Sequence, residues 1–392
     1  MQYRKDRSGE DISILGYGCM RFSRAGSGLD YDKAASELKR AVELGVNYFD
    51  TAYLYSGSEE LLGRFLEESG LRDKVKIATK LPQYLVRTRG QIDRYFDEEL
   101  RRLRTDRVDY YLMHMVTSLS QWEGLVKLGI EEWIAEKKAS GQIRNIGFSY
   151  HGGTKGFLEV LAAYDWDFCQ IQYNYLDEHT QAGRAGLEAA AARGIPVIIM
   201  EPLRGGKLVD LLPEDARSAI AASPRGWSPA ELAFRWLWDQ PDVTCVLSGM
   251  NSIAMVEENC RVADEARAHE LKPEDRALVE RVVAAINAEV KVGCTGCGYC
   301  MPCPKGVDIP ATFRFYNQMF TEGKASGRNE YFMTVALRRE PAFASQCVGC
   351  GACEKHCPQA LPIREKLKEA DRALRPWYYR VAMKVARPFM LK

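Results

Sequence analysis

The sequence contains no apolar run long enough for a membrane-spanning helix or a signal peptide, and Met1 to Asp11 is studded with charge. A soluble protein of the cytoplasm is therefore expected. A surplus of either charge is also missing, since 54 Lys and Arg face 53 Asp and Glu for a net charge of +1. Nothing in that balance suits a polyanion such as nucleic acid, so the expected ligand is a small molecule. The cysteines are not spread as a disulfide framework would spread them. Of the twelve, eight fall between Cys294 and Cys357, which points to metal, while Cys19, Cys169, Cys245 and Cys260 stand alone, as small buried hydrophobes do. Finally, Gly16-Tyr17-Gly18 runs into Cys19-Met20-Arg21 with no third glycine in register, which argues against an open doubly wound dinucleotide fold.

The chain does have material for a large core: 46% of residues are hydrophobic and 27% charged. At 392 residues it exceeds what one core usually organises, so a large domain and a smaller one are expected. Short β-branched and aromatic runs at 12–17, 46–50, 75–80, 108–114, 143–149, 168–172, 196–200 and 243–247 alternate with amphipathic stretches. The helical stretches include 32–44, 58–68, 90–103, 130–138, 186–193, 229–238 and 252–266, with a further pattern at 274–286. Eight such units imply an α/β fold, a (β/α)8 TIM barrel over residues 1–288.

In such a barrel the chemistry sits at the C-terminal strand ends. Three strands close on polar groups there: Asp50, Lys80 and His114, with Tyr55 five residues past Asp50 on the following loop. A tyrosine with its usual pKa near ~10 is a reluctant acid. Lys80 beside it would lower that value, and Asp50 would hold the ammonium in place. His114 could then polarise a carbonyl oxygen.

The segments Phe49-Asp50-Thr51-Ala52-Tyr53-Leu54-Tyr55, Ala78-Thr79-Lys80 and Tyr111-Leu112-Met113-His114 resemble the catalytic tetrad segments of the aldo-keto reductase family. The resemblance covers roughly residues 10 to 265. It implies reduction of a carbonyl, or oxidation of an alcohol, with NADP or NAD and with Tyr55 as general acid and base. It also implies cofactor contacts: Gly18, Cys19 and Met20 beside the nicotinamide ribose, Ser149 and Gln170 on the carboxamide, and Glu201 to Gly206 (Pro202, Leu203, Arg204 and Gly205 among them) at the pyrophosphate. Ser248 and Gly249 join that set, as do Glu258 and Asn259 at the adenine end. A glycine-rich cationic loop after strand seven is also what phosphate binding at a barrel rim needs. Three departures stand out. Met200 replaces an aromatic stacking ring, Tyr150-His151 follows Ser149 where an asparagine is common, and no Lys or Arg near Gly249 to Met255 offers a grip on the 2'-phosphate of NADP.

Beyond residue 290 the composition changes. Cys347-x2-Cys350-x2-Cys353-x3-Cys357-Pro358 is the bacterial ferredoxin spacing, in which three thiolates bind one [4Fe-4S] cluster and the fourth reaches another. Cys294-x2-Cys297-x2-Cys300-x2-Cys303-Pro304 repeats it with one residue fewer. Zinc sites usually take two cysteine pairs well separated, so two iron-sulfur clusters are the better match. By the ferredoxin pattern Cys294, Cys297, Cys300 and Cys357 hold one cluster, and Cys347, Cys350, Cys353 and Cys303 the other. Helical periodicity at 310–320 and 329–337 makes 289–375 a mostly α-helical ferredoxin-like module. The basic and aromatic tail, 376–392, could lie on a membrane surface or a partner, or pack back on its own protein.

The leading expectation is thus a carbonyl-reducing oxidoreductase whose clusters serve electron transfer or structure, with an external electron carrier as a candidate partner. An electron-transfer protein whose barrel is mainly a docking platform is the alternative. Substrate, flavin requirement and oligomeric state have no signature in the sequence.

Overall fold

The computed structural model describes residues 1–26, 28–294, 296, 298, 300–336, 341–357 and 359–381. Eight parallel strands close a barrel in chain order: Leu15–Gly18, Tyr48–Asp50, Lys76–Leu81, Val108–Val116, Ile143–Tyr150, Phe168–Gln172, Val197–Met200 and Val243–Ser248. The last pairs with the first, Ser248 opposite Tyr17, so no edge is left open. Between them run helices whose starts the sequence fixes locally. Asp30 caps Tyr31–Glu43, Ser228 caps Pro229–Trp238 with proline in its first turn, and Ser252 caps Ile253–Glu265, each accepting a backbone N–H. The expected run 12–17 is two strands, because Asp11–Ser13 turns away to pair with Tyr3–Lys5 in a hairpin before Leu15–Gly18 enters the barrel. Helices Leu119–Val126 and Thr154–Ala163 go beyond the expected segments, and Gly152-Gly153-Thr154 hides the second behind loop-forming residues.

Alternation along each strand decides what fills the barrel. Tyr48, Ala78, Tyr110, Leu112, Phe168, Ile198, Cys245 and Leu247 form one buried cluster with Met200 packed against it. Bulky rings need room opposite them. A Cβ on Gly16 would lie 3.2 Å from Tyr48 and 2.8 Å from Leu247, and one on Gly147 would lie 2.7 Å from the Phe168 ring. Two residues further along the same faces come Gly18, Asp50, Lys80, His114, Ser149 and Gln170, at the C-terminal rim.

The chain divides into two compact units, Met1–Gly205 with Trp227–Arg276, and Gly206–Gly226 with the described part of Ala277–Lys392. The second has a core of its own, built on Ile309, Phe313, Tyr316, Tyr331, Ile363 and Leu367, against which six of the cysteines pack. Its helices include Glu214–Ala221, Ile309–Thr321, Lys324–Tyr331, which runs on into a π-helical turn over Phe332–Ala336, and Ile363–Leu374. Lys207 in this unit is paired with the buried Glu322. The first part of the tail packs back on it: Arg328 donates to the Tyr378 hydroxyl at 2.9 Å and Tyr379 donates to Asn329 at 3.2 Å. The remainder of the tail, 382–392, lies outside the described residues. Among the described residues no helix is long and apolar enough to cross a membrane.

Candidate active site and cluster cavities

At the rim, Lys80 Nζ donates to Asp50 Oδ1 at 2.6 Å and to the Thr51 carbonyl at 2.7 Å, and both charged side chains are almost wholly buried. Burial opposes both charges; it raises the Asp50 carboxyl while Lys80 pulls it back. Burial likewise disfavours the Lys80 ammonium, but Asp50 and then Tyr55 overcome it and hold its pKa above the ordinary lysine value. With two acceptors this close, the ammonium–carboxylate form is the one the geometry stabilises.

The Tyr55 ring centroid lies 5.0 Å from Lys80 Nζ and 5.9 Å from the His114 ring, which it meets edge-on at 82°. A phenol, an ammonium, a carboxylate and an imidazole from three strands and a loop are therefore brought together. One expectation is corrected here: the Tyr55 phenol is raised, not lowered, because burial outweighs the neighbouring Lys80. It therefore keeps its proton at neutral pH, as a donor must. His114 is pushed down to about 3, chiefly by burial, then by Lys80 and by His151, so its imidazole is neutral across physiological pH. Its Nδ1 is buried without a partner among the described residues.

The expected cofactor positions fall into three groups. Gln170 stands beside Asp50, and its buried Oε1 has no partner among the described residues, an acceptor left facing the site. Ser149 Oγ accepts the N–H of Met115 at 2.8 Å, while Met115 itself takes a left-handed φ of 57° where the pairing register shifts. That hydroxyl thereby braces the backbone just past His114 and still has its own proton to give. Gly18 closes its strand, and the 3-10 turn Cys19–Arg21 follows with Cys19 buried and Met20 exposed.

The loop after the seventh strand has positive φ at Glu201, Arg204, Gly205 and Gly206, and the N–H of Arg204 donates to the Glu201 carbonyl at 3.1 Å in a turn. Arg204 is tied to Asp177 at 3.2 Å and so is not a free cation for phosphate. Pro202 and Leu203 complete the loop. A cation that sequence reasoning missed lies alongside: a Cβ on Gly205 or on Gly249 would come within 2.6 Å or 3.2 Å of the Arg21 side chain, which is half-exposed and 3.7 Å from Glu201. Its only signal in the sequence is its place just after Gly18-Cys19-Met20. Further round, Asn259 donates to Ser248 at 3.1 Å with both buried, and Glu258 accepts from Ser228 at 2.8 Å.

In the second unit a cavity of about 290 Å³ is lined by Cys300 and Cys303 of the first cysteine run together with Cys347, Cys350 and Cys353 of the second. A smaller one, about 20 Å³, is lined by Cys294 and Cys300 with Cys357. Cys297 lies outside the described residues. The two runs share the pattern Cys-x-Gly-Cys-Gly-x-Cys, and Gly296, Gly298, Gly349 and Gly351 all have φ between 72° and 79°, so each run curls where only glycine does so without strain. Among the described residues no three His, Cys, Asp or Glu converge on a point that could hold a single metal ion. The thiols line cavities instead, the larger bordered by five of them and the smaller by three. The other four cysteines, Cys19, Cys169, Cys245 and Cys260, are buried one by one in the barrel unit.

Comparison with known proteins agrees with both halves of this geometry. Residues 14–283 match the model of the aldo/keto reductase family, and residues 293–361 match that of the 4Fe-4S dicluster domain. The chain is 28% identical over 313 residues to the uncharacterized oxidoreductase YqkF of Bacillus subtilis, covering 72% of this chain and 94% of that one. It is 25% identical over 308 residues to the L-galactose dehydrogenase of Arabidopsis thaliana, covering 71% and 93%. Among solved structures, an aldo-keto reductase from Bacillus halodurans in its holo form superposes with a TM-score of 0.59 at 27% identity, covering 72% of this chain and 96% of that one. An aldo-keto reductase from Klebsiella pneumoniae in complex with NADPH has the same fold, with a TM-score of 0.58, 23% identity and the same coverage.

Proposed function

Because this chain belongs to the aldo/keto reductase family and is an oxidoreductase with a 4Fe-4S domain, we propose that its barrel reduces a small carbonyl compound, or oxidises the corresponding alcohol, with NADP(H) or NAD(H). The observation that carries this is the convergence of Tyr55, Lys80, Asp50 and His114 at one rim. A bound nicotinamide would supply the hydride. Gln170, with its unpartnered Oε1, and the Ser149 hydroxyl fit its carboxamide, while the 201–206 loop and Arg21 fit the pyrophosphate. Ser248, Gly249, Glu258 and Asn259 stay as candidates for the adenosine half. Arg21, against Gly249, offers a cation for the 2'-phosphate of NADP, while the lack of basic residues within 249–255 itself leaves NAD in contention.

His114 donates a hydrogen bond to the carbonyl oxygen and fixes the face presented. Tyr55 gives its proton to that oxygen as charge builds there, and Lys80, held by Asp50, stabilises the phenolate left behind. Residues 1–288 carry this chemistry.

Residues 289–375 hold two [4Fe-4S] clusters, one on Cys294, Cys297, Cys300 and Cys357, the other on Cys347, Cys350, Cys353 and Cys303. Cys303 in the larger cavity and Cys357 in the smaller support that exchange of fourth ligands, while Cys300 borders both. Cys350 is exposed, which favours electron exchange with an external one-electron carrier at that cluster over a purely structural role. Free buried thiols and iron-sulfur clusters both suit a reducing cytoplasm.

The test is anaerobic turnover with NADPH or NADH against a panel of aldehydes and ketones. Tyr55→Phe should lower the reduction rate by about 10²- to 10⁴-fold while the optical and EPR spectra of the clusters stay unchanged. Indifference to the substitution would leave the barrel as a docking platform for an electron-transfer protein.

A further inference from the structure

The loop that presents Tyr55 is held from two sides. Residues 51–57 lie between the strand Tyr48–Asp50 and the helix Ser58–Ser69, and on the inner side Lys80 Nζ donates to the Thr51 carbonyl at 2.7 Å. Turns close the rest: the Tyr55 N–H donates to the Ala52 carbonyl and the Ser58 N–H to the Tyr55 carbonyl, each at 2.9 Å. The outer side is held by groups that the proposed reaction does not use. Alternation along Lys76–Leu81 turns Thr79 outward where Lys80 turns inward, and the Thr79 hydroxyl donates to Glu59 Oε1 at 2.6 Å. Glu59 Oε2 accepts from Arg102 Nη1 at 3.1 Å, and the same nitrogen donates to the Tyr53 carbonyl at 3.2 Å. The guanidinium also lies 4.2 Å from the centre of the Tyr53 ring, which meets Tyr95 edge-on at 4.9 Å.

Local structure leaves this connection little slack. Glu59 sits in the first turn of its helix, where the exposed N–H groups favour a carboxylate. Arg102 lies near the end of Arg89–Leu103, and the two helices touch there, since a Cβ on Gly63 would come within 2.4 Å of the Arg102 carbonyl oxygen. Glu59 is almost wholly buried, and Arg102 Nε is taken up by Glu98 at 2.9 Å. A buried ion pair contributes little stability that a well-packed apolar pair would not. What an apolar pair cannot do is tie the strand position next to Lys80 to the loop position two residues before Tyr55.

We infer that Glu59 and Arg102 are positioning residues: through Thr79 and the Tyr53 carbonyl they fix the Tyr55 loop against the strand that carries Lys80, and so hold phenol and ammonium at the spacing that proton transfer needs. The inference rests on the carbonyl reduction proposed above. Both side chains act from the helical side of the strand, so their effect falls on the chemical step and not on binding. Displacing a reacting group by about 1 Å can cost about 100-fold in rate.

Glu59→Leu together with Arg102→Met removes both charges while keeping apolar bulk. That double variant should unfold at a denaturant concentration close to that of the wild-type holoprotein, lower kcat about ten- to a hundredfold, and change KM for the dinucleotide by less than about twofold. Glu59→Gln, which keeps an acceptor for Thr79 and gives up the charge that orders Arg102, should lower kcat about three- to tenfold. A fall in kcat that only tracks loss of folded protein, or a rise in KM for the dinucleotide as large as that fall, would make the pair merely structural and overturn the inference. A second readout needs no substrate. In holoprotein carrying isotope-labelled tyrosine, the Tyr55 ring resonance is identified by its absence from Tyr55→Phe, and both variants should shift or split it. An unmoved resonance overturns the inference whatever the rate of reduction. If the resonance moves but Tyr55→Phe leaves reduction intact, the reductase reading fails and the positioning of Tyr55 stands.

Discussion

The barrel and the cluster module both place polar groups in their interiors, and they satisfy them in different ways. In the barrel, Lys80 and Asp50 neutralise one another at 2.6 Å, and the rings of Tyr48, Tyr110 and Phe168 fill the space beneath. That site is complete as a folded object before any dinucleotide arrives. In the module the cysteines ring cavities, and the small core on Ile309, Phe313, Ile363 and Leu367 packs directly against them. Removing the group that fills such a cavity leaves a small core with a hole at its centre. On the function proposed above, preorganised electrostatics serve the barrel, whereas metal ligation organises the module.

The largest effect that could break this contrast is loss of the clusters. Chelation of iron under reducing conditions, or Cys347→Ala with Cys353→Ala, should make residues 289–375 protease-sensitive and remove their helical signal, while the barrel stays folded and protected. A module that keeps its protease resistance without iron would show that metal is not what holds it.

Next in size is the buried ion pair. Lys80→Met leaves the Asp50 carboxylate buried and unpaired, and should cost about 3–5 kcal/mol of barrel stability in denaturant unfolding. Asp50→Asn in the same chain should restore most of it. If the double variant is no better than the single, Lys80 contributes through packing and not through its charge.

The smallest expected effect near neutral pH is a pH dependence, which grows only as the solution is acidified. His114 has an ordinary value of 6.5 and a folded value of about 3, so the unfolded chain binds its proton first as pH falls. Its contribution to stability is therefore present above 6.5 and is lost as pH drops from 6.5 toward 3, by up to about 1.4 kcal/mol per pH unit. His114→Asn should flatten that part of the stability profile. The same depression predicts that kcat shows no imidazole titration between pH 6 and 8.

What the sequence reveals follows the range of the interactions involved. Asp50, Lys80 and His114 are legible because each is a polar residue at or near the C-terminal end of an apolar strand, and strand alternation sends all three to one rim. The cysteine runs are legible because ligation demands fixed short spacings. The split of the first predicted strand is not, since Tyr3–Lys5 is a short charged segment that becomes a strand only through Asp11–Ser13. The sign of the Tyr55 shift is hidden for a similar reason. Lys80 can be named from its motif, but the burial that overrides it comes from the whole rim. Arg21 reaches Gly205 and Gly249 across most of the barrel's length in sequence, and no local pattern announces that contact. Glu59 and Arg102 stand 43 residues apart in the chain, and only the close approach of their helices at Gly63 brings them together.

The most direct test of hydride chemistry at Tyr55 is isotopic. Turnover with nicotinamide dinucleotide deuterated at the transferring position, in ordinary water and without oxygen, should give an alcohol with one deuterium on the former carbonyl carbon. An alcohol that forms at the same rate with hydrogen from solvent at that carbon would mean that the electrons travelled through the clusters, and the account of the barrel site would be wrong.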